Sequence, residues 1–310
     1  MTKNNQLFIP ISYGKRLLLL TLMFFVMSVL ASFSVQFAKQ IFDEGTRNYM
    51  LLASSLQALI MFVAPAFASS FFISQTPMRM LGLNKSVNIR NILGIILMFV
   101  LVMPALNQVI WWNSQLSLPD ALKDIETWMR EMESNAAEMQ SILLSSTTIG
   151  GLISSILVVG VLTGFAEEVF FRGALQRIIS SNGMNPHMAI FIAAFIFSLL
   201  HFQFFGFVPR LILGMFFGYI FYWTGSIWAS SIAHAINNSI VVVTLYLTNN
   251  GFDISNIEQF GVDTTASFPT IAIISAVQRG YCARQPGRNA PVVGIYGRFL
   301  RYSLPEGNDP

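Results

Sequence analysis

Long apolar stretches recur along this chain and limit the folds that it can adopt. Each is near the ~20 residues that a helix needs to cross the hydrocarbon core of a bilayer. Apolar residues make up 54% of the chain and charged residues 11%, against roughly 25% charge in a soluble domain. The sequence therefore predicts an all-α fold, a polytopic transmembrane helical bundle. The predicted spans are residues 17–38, 50–73, 92–112, 149–180, 187–202, 208–223 and 227–247.

An eighth apolar stretch begins at Phe268 and stops after Ala276. It is too short to cross a bilayer, and from Gln278 the sequence is rich in Arg, Gly and Pro without a helical or strand period. Two interpretations follow: a disordered cytoplasmic tail, or a natural last helix that a reading-frame shift has replaced. We favour the second. The predicted bundle thus has about seven to eight spans.

The segment between the third and fourth spans, residues 114–146, is polar and carries six acidic and two basic residues. Pro119 suits a helix start. We predict an amphipathic helix that lies on the outer surface and is held there by Trp128, although a solvated linker helix fits the pattern equally well. Its apolar positions, at helical spacing, are Leu122, Ile125, Met129, Met132 and Ala136.

The distribution of charge predicts the orientation. The N-terminus, residues 79–90 and the region after Arg172 are basic, whereas residues 114–146 and 249–268 are acidic. The positive-inside rule then places the N-terminus in the cytoplasm. We expect an integral protein of a bacterial plasma membrane. Its predicted partner is the lipid bilayer, and we expect it not to bind nucleic acid. The predicted divisions are residues 1–147 (three spans and the amphipathic segment), 148–248 (a catalytic four-helix core) and 249–310.

Polar residues inside the apolar spans identify a candidate site. Glu167 and Glu168 are the only acidic residues between Glu138 and Asp253. Ionisable groups at membrane depth are costly, rare and usually functional. Two further insertions are His201 and, on the seventh span, His234 with Asn238. We expect these residues to meet in a hydrolytic site within the membrane.

Helix geometry supports this convergence. Glu167 lies 17 residues before Met184, in a predicted turn, and His201 lies 17 residues after it, so both are expected at the same depth. Glu168 and Arg172 are four apart and can pair, as His234 and Asn238 can share a face. Glu167 points about 100° away from Glu168 and stays free for another task.

Three motifs, taken in order, resemble those of a known family. They are Glu-Glu-x-x-x-Arg at 167–172, Phe-x-x-x-His at 197–201 and His-x-x-x-Asn at 234–238. The chain resembles the CPBP family, the CAAX prenyl protease and bacteriocin-processing (Abi) intramembrane proteases, over about residues 150–247. The sequence departs from that family after Ala276, where a membrane helix would normally continue.

The resemblance implies peptide-bond hydrolysis near the cytoplasmic half of the membrane, on a membrane protein or peptide. It implies that Glu167 and His201 activate water, and that His234 and Asn238 stabilise the oxyanion. It also implies that Glu168 and Arg172 orient the site or bind a substrate carboxylate. A non-catalytic immunity or scaffold protein is the alternative, and a proton-coupled transporter a lesser one.

The residue types also fit a metalloprotease. Glu167, His201 and His234 form a carboxylate–His–His set, which is enough for a catalytic Zn²⁺ with an open position for water. A metal-free glutamate–histidine pair fits the same residues, and we lean slightly to it. The sequence leaves this choice open.

Overall fold

The computed structural model describes residues 7–253, and every regular element in that range is helical, which confirms the all-α prediction. A 3₁₀ turn (Asp120–Leu122) precedes the fifth helix. The helices, numbered in chain order, are α1 (Tyr13–Ala38), α2 (Arg47–Ile73), α3 (Pro77–Leu81), α4 (Ile89–Ser114), α5 (Lys123–Leu143), α6 (Ile149–Ser180), α7 (Pro186–Leu199), α8 (Phe207–Thr224) and α9 (Ile227–Asn249).

Six of the described helices are long and apolar enough to cross a membrane: α1, α2, α4, α6, α8 and α9. Large apolar side chains such as Phe25 and Phe33 are exposed on their outer faces, as lipid-facing helices require. The shorter apolar helix α7 corresponds to the remaining predicted span. The span count is therefore consistent with the prediction, whereas the stretch from Phe268 and the acidic residues after Asp253 lie outside the described residues.

Helix α7 ends earlier than the sequence predicted. It has 14 residues, about 21 Å, and stops at Leu199 rather than near Phe202. The His201 side chain accounts for part of this difference, because its Nδ1 lies 2.7 Å from the Phe197 carbonyl oxygen. In a continuing helix the backbone N–H of residue 201 would occupy that oxygen. His201 thus lies in the loop between α7 and α8.

The two ends of the bundle differ in charge. At one end, Arg177 donates to the carbonyls of Arg79 and Gly225, and Arg16 donates to Ser181. This basic end carries Lys15, Arg16, Arg79, Lys85, Arg90 and Arg177 and, among residues 7–253, no acidic residue. The acidic end holds α5 and the α1–α2 connection. This separation is the pattern on which the predicted orientation rests.

Helix α5 is the predicted amphipathic helix, and the exposure of the predicted apolar stripe decreases along it. Pro119 precedes the 3₁₀ turn that leads into it, as predicted. Leu122, in the 3₁₀ turn, and Ile125 and Trp128, near the start of α5, are exposed, whereas Met129, Met132 and Ala136 are half-buried. The predicted stripe is therefore covered only in its later part.

Aromatic packing fixes α6 against the first two helices. The ring of Phe170 lies 5.0 Å from that of Phe24 on α1 and 5.8 Å from that of Phe62 on α2. Phe171 contacts Phe62 on one side and Phe197 of α7 on the other. These residues belong to the main buried core, which therefore holds the helix that carries both glutamates.

Candidate active site

The two glutamates lie in a short α-helical stretch of α6, Gly164–Glu168. On each side of it the helix widens into π-helical turns, at Ile156–Thr163 and Val169–Gln176. Such insertions frequently occur at functional sites, because they change the direction of side chains relative to a regular α-helix. The site is thus placed on an irregular part of a long, otherwise apolar helix.

Glu168 is bound in the interior of the bundle through one oxygen, Oε1, while its Oε2 is buried without a hydrogen-bond partner among the described residues. Its Oε1 accepts from Arg172 Nη1 at 2.6 Å and from His234 Nδ1 at 2.9 Å. Arg172 also donates from Nη2 to the carbonyl of Gly214 on α8, at 2.9 Å. Glu168 is 0% and Arg172 1% exposed. The predicted pair between them is present, and it joins α6 to both α8 and α9.

Glu167 is the less committed carboxylate. Its Oε2 lies 3.5 Å from His234 Nε2, and the described residues donate no hydrogen bond to it. Its residue exposure is 7%, so the group is almost closed to the surroundings yet less buried than Glu168. A carboxylate that is held nearby but not hydrogen-bonded can accept a proton from water.

His234 is held between the two glutamates. Its ring stacks on Phe217 of α8, with centroids 4.6 Å apart and planes 18° from parallel. Glu168 fixes Nδ1, and Nε2 is thereby directed towards Glu167. The ring orientation is set from three sides before any substrate binds.

His201 approaches the same cluster from the loop after α7. Its ring lies 4.9 Å from that of Phe197, which is itself 5.8 Å from the His234 ring. Glu167 and His234 are near enough to interact electrostatically with His201. With Nδ1 on the Phe197 carbonyl, the tautomer protonated at Nδ1 leaves Nε2 as an acceptor.

Asn238 lies one helical turn beyond His234, away from the glutamates. Its Nδ2 donates to the Val159 carbonyl on α6 at 3.1 Å, and its Oδ1 accepts from Asn237 Nδ2. Of the six predicted site residues, the structure brings together Glu167, Glu168, Arg172, His201 and His234. It places Asn238 in a contact between α9 and α6 instead.

Part of the chain is similar to a known protein family. Residues 149–240, less than half of the chain, match the family model of the Rce1-like type II CAAX prenyl endopeptidases. The matched segment includes all six predicted site residues. It is an Rce1-like segment. The resemblance predicted from the three motifs is thereby confirmed for this part of the chain, consistent with the CPBP family.

The matched family is one of CAAX prenyl endopeptidases, so residues 149–240 are similar to a CAAX-type protease segment. The long apolar helices agree with an integral membrane protein. No curated protein and no solved structure matched the chain.

The Rce1-like segment contains further contributors that sequence reasoning did not assign to the site. Phe197 was recognised only as part of a motif, yet its ring contacts both histidines and lies 4.8 Å from the Arg172 guanidinium carbon. Phe217 stacks on His234. The Gly214 carbonyl accepts from Arg172. A backbone carbonyl that accepts a hydrogen bond cannot be recognised from residue types. Phe197, in contrast, could be recognised from its position four residues before His201.

Glycines let the Rce1-like helices approach closely. A Cβ on Gly164 would lie 3.2 Å from the Ala235 backbone nitrogen, and one on Gly160 would lie 2.5 Å from Ser239 Oγ. Both contacts join α6 to α9, one residue from His234 and from Asn238 respectively. The Gly160/Gly164 spacing thus serves close helix packing.

An apolar groove of about 660 Å³ runs along α9 beside the Rce1-like site. It extends from Trp228, near the basic end, to Leu247 near the acidic end, and Phe165 of α6 stacks on Trp228. Neither Glu167 nor the two histidines line it. The groove is lined by Val161, Phe165, Trp228, Ser231, Ile232, Ala235, Ile236, Ser239, Ile240, Val243, Thr244 and Leu247.

The arrangement does not fit the zinc alternative. Within residues 7–253, no group of three or more His, Cys, Asp or Glu side chains is placed to hold a metal ion. Glu167, His201 and His234 therefore do not form a ligand set in this structure.

Proposed function

We propose that this chain is an intramembrane endopeptidase that hydrolyses a peptide bond in a membrane-associated protein or peptide. The observation that carries the proposal is the unequal state of the two neighbouring carboxylates. Glu168 is bound to Arg172 and His234, whereas Glu167 lies beside His234 without a hydrogen bond. One glutamate holds the site together, and the other is available for chemistry.

In the proposed reaction, Glu167, assisted by His201 Nε2, takes a proton from a water molecule as its oxygen bonds to the scissile carbonyl carbon. The carbonyl oxygen becomes an oxyanion, and a donor preset in a water-poor site stabilises it. His234, when it carries a proton on Nε2 as well as Nδ1, supplies such a donor. Collapse of the intermediate breaks the C–N bond, and the proton held by Glu167 passes to the leaving amine.

The remaining residues have positioning roles in this proposal. Arg172 holds Glu168 in place through a charge-assisted hydrogen bond, and Glu168 orients the His234 ring. Asn238 ties α9 to α6 through the Val159 carbonyl. It would contribute to the oxyanion only after its Nδ2 left that carbonyl. We further propose a cytoplasmic N-terminus, a bacterial plasma-membrane location and the three chain divisions given above.

The test compares newly formed protein termini in membranes of cells that carry the wild type, Glu167→Gln or Glu131→Gln at matched levels. Glu131 is exposed on α5, so its substitution is a control for the loss of one carboxylate. We expect the termini produced by the wild type and by Glu131→Gln to disappear with Glu167→Gln. Loss of a general base lowers turnover by about 10²–10⁴-fold.

Identical termini in all three samples, with Glu167→Gln inserted normally, would contradict the endopeptidase proposal. The chain would then be treated as a scaffold or immunity protein built on an Rce1-like fold. Termini that depend on Glu167 would instead identify both the reaction and its substrate.

A further inference from the structure

His201 lies in a loop whose backbone includes one strained residue. The loop, residues 200–206, joins α7 to α8 and contains Phe202 with φ 53°, the single non-glycine residue with positive φ among residues 7–253. A bulky residue in this region is strained, and such a conformation persists only where surrounding contacts impose it. Because Phe202 is mostly exposed, its own side chain does not supply those contacts.

Helix α5 supplies several of them. Glu133 Oε2 accepts from the Phe205 backbone N–H at 3.2 Å. The Arg130 guanidinium carbon lies 4.4 Å from the centroid of the Phe205 ring, and the Trp128 and Phe204 rings are 5.2 Å apart. From α4, Asn113 Nδ2 donates to the Phe205 carbonyl. Phe205 is thus held at both its backbone N–H and its carbonyl.

Arg130 is itself fixed from within the α5 region. It donates from Nε to Glu126 Oε1 at 2.8 Å, and Glu126 Oε2 accepts from the Leu118 backbone N–H at 3.1 Å. The Arg130 hydrogen bond, followed by the one from Leu118, holds the pKa of the Glu126 carboxyl below its usual value. The ion pair with Glu126 therefore holds Arg130 in the position from which it contacts the Phe205 ring.

We propose that Glu133 is a positioning residue for His201: by accepting from Phe205 N–H, it fixes the strained loop and so sets the imidazole beside Glu167. Helix α5 then belongs to the active site, although it lies outside the segment that matches the Rce1-like family. This inference rests on the proposed peptidase function, in which His201 assists Glu167.

The experiment uses the full-length protein in detergent or lipid and compares Glu133→Ala, Glu133→Gln and Glu131→Ala. Gln keeps an oxygen that can accept from Phe205 N–H, and Glu131 is an exposed neighbour on the same helix. The first measurement is hydrogen–deuterium exchange of residues 200–206. The second is kcat and KM on a fluorogenic peptide that ends in a farnesylated CAAX sequence. Thermal unfolding of each variant checks folding.

We expect faster exchange in the loop of Glu133→Ala alone. We expect its kcat to fall about tenfold, as loss of a hydrogen bond to a charged acceptor predicts, with KM nearly unchanged. Glu133→Gln is expected to recover most of the turnover, and Glu131→Ala to match the wild type. Unchanged loop exchange in Glu133→Ala would overturn the inference, as would faster exchange with normal kcat.

The two proposals fail in different ways. A wild type that cleaves neither the peptide nor a membrane protein in a Glu167-dependent manner contradicts the peptidase function, and the catalytic role of Glu133 with it. An active wild type with a Glu133→Ala variant of equal kcat contradicts the positioning role alone. A uniform loss of thermal stability in Glu133→Ala that Glu133→Gln does not restore would also overturn it, since the hydrogen-bond acceptor would then not be the cause.

Discussion

Single side chains in this site differ because their surroundings differ. Glu167 and Glu168 are adjacent and chemically identical, yet Glu168 binds Arg172, whereas Glu167 faces the Nε2 edge of the His234 ring. The helix turns about 100° per residue, which is enough to send one carboxylate into the interior between α8 and α9. The predicted Glu168–Arg172 pair followed from their four-residue spacing. The second donor to Glu168, His234, could not be predicted from spacing, because it comes from another helix.

At this scale we predict that Arg172 matters more for stability than for direct chemistry. Arg172→Met leaves the buried Glu168 carboxylate without its cationic partner and is expected to cost about 3–5 kcal/mol of unfolding free energy. In the double variant Arg172→Met/Glu168→Gln, the amide can still accept from His234, so much of that loss is expected to return. Unfolding in detergent, followed by intrinsic fluorescence, measures both variants.

A different result would point to another role for the pair. If the double variant is as unstable as Arg172→Met alone, the contact with the Gly214 carbonyl, rather than the buried charge, is what stabilises the bundle. If Arg172→Met costs less than about 1 kcal/mol, the pair is not a structural element.

At the scale of helices, α6 and α9 form the contact that the site depends on most directly. Gly164 allows α9 to pack closely on α6 at Ala235, the residue next to His234. A larger residue at position 164 would meet the backbone nitrogen of Ala235. A side-chain neighbour could rotate away, but a backbone neighbour can move only with its helix. A larger residue at position 164 is therefore expected to displace His234.

We predict that Gly164→Ala destabilises the protein by about 1–3 kcal/mol, the usual cost of overpacking, and lowers activity. The matched control is Gly94→Ala in α4, where an added Cβ has no atom within 4 Å. That control is expected to be neutral or to stabilise by up to about 1 kcal/mol, because Ala favours a helix over Gly. Thermal unfolding of both variants makes the comparison, and equal effects would show that close approach at Gly164 is not required.

At the scale of the whole molecule, charge separates the two ends of the bundle. Arg177, Arg16 and Lys85 bind backbone or side-chain oxygens at the basic end, while the acidic residues of α5 lie at the other. Juxtamembrane basic residues favour the cytoplasm. The site lies between these ends, with the His201 loop reached from the α5 side.

The corresponding prediction concerns orientation. In a Cys282→Ser background, Ser86→Cys reports the basic end and Ser134→Cys the acidic end, and both positions are exposed. A membrane-impermeant maleimide added to intact cells is expected to label Ser134→Cys alone, and to label Ser86→Cys only after permeabilisation. The reverse labelling pattern would show that the protein has the opposite orientation in the membrane, with the same fold.

Composition and local periodicity were enough to predict the helices and the residues of the candidate site. Apolar stretches of membrane length fixed the helices, with boundaries such as Ile149 and Ser180 of α6 placed as predicted. The three motifs singled out the residues of the site and the family they resemble. These features are local: the hydrophobic length of a span, or a four-residue spacing, needs no knowledge of the rest of the chain.

The roles of the individual site residues follow from contacts between helices, which the folded chain alone reveals. The tertiary structure bound Glu168 to His234 as well as to Arg172, placed His201 in a strained loop rather than in a helix, and turned Asn238 towards Val159. It also brought Glu133, from a segment between two spans, against that loop. The contacts of Glu168 with His234, of Asn238 with Val159 and of Glu133 with Phe205 join groups far apart in sequence. Their distances depend on how helices pack, which no local pattern specifies.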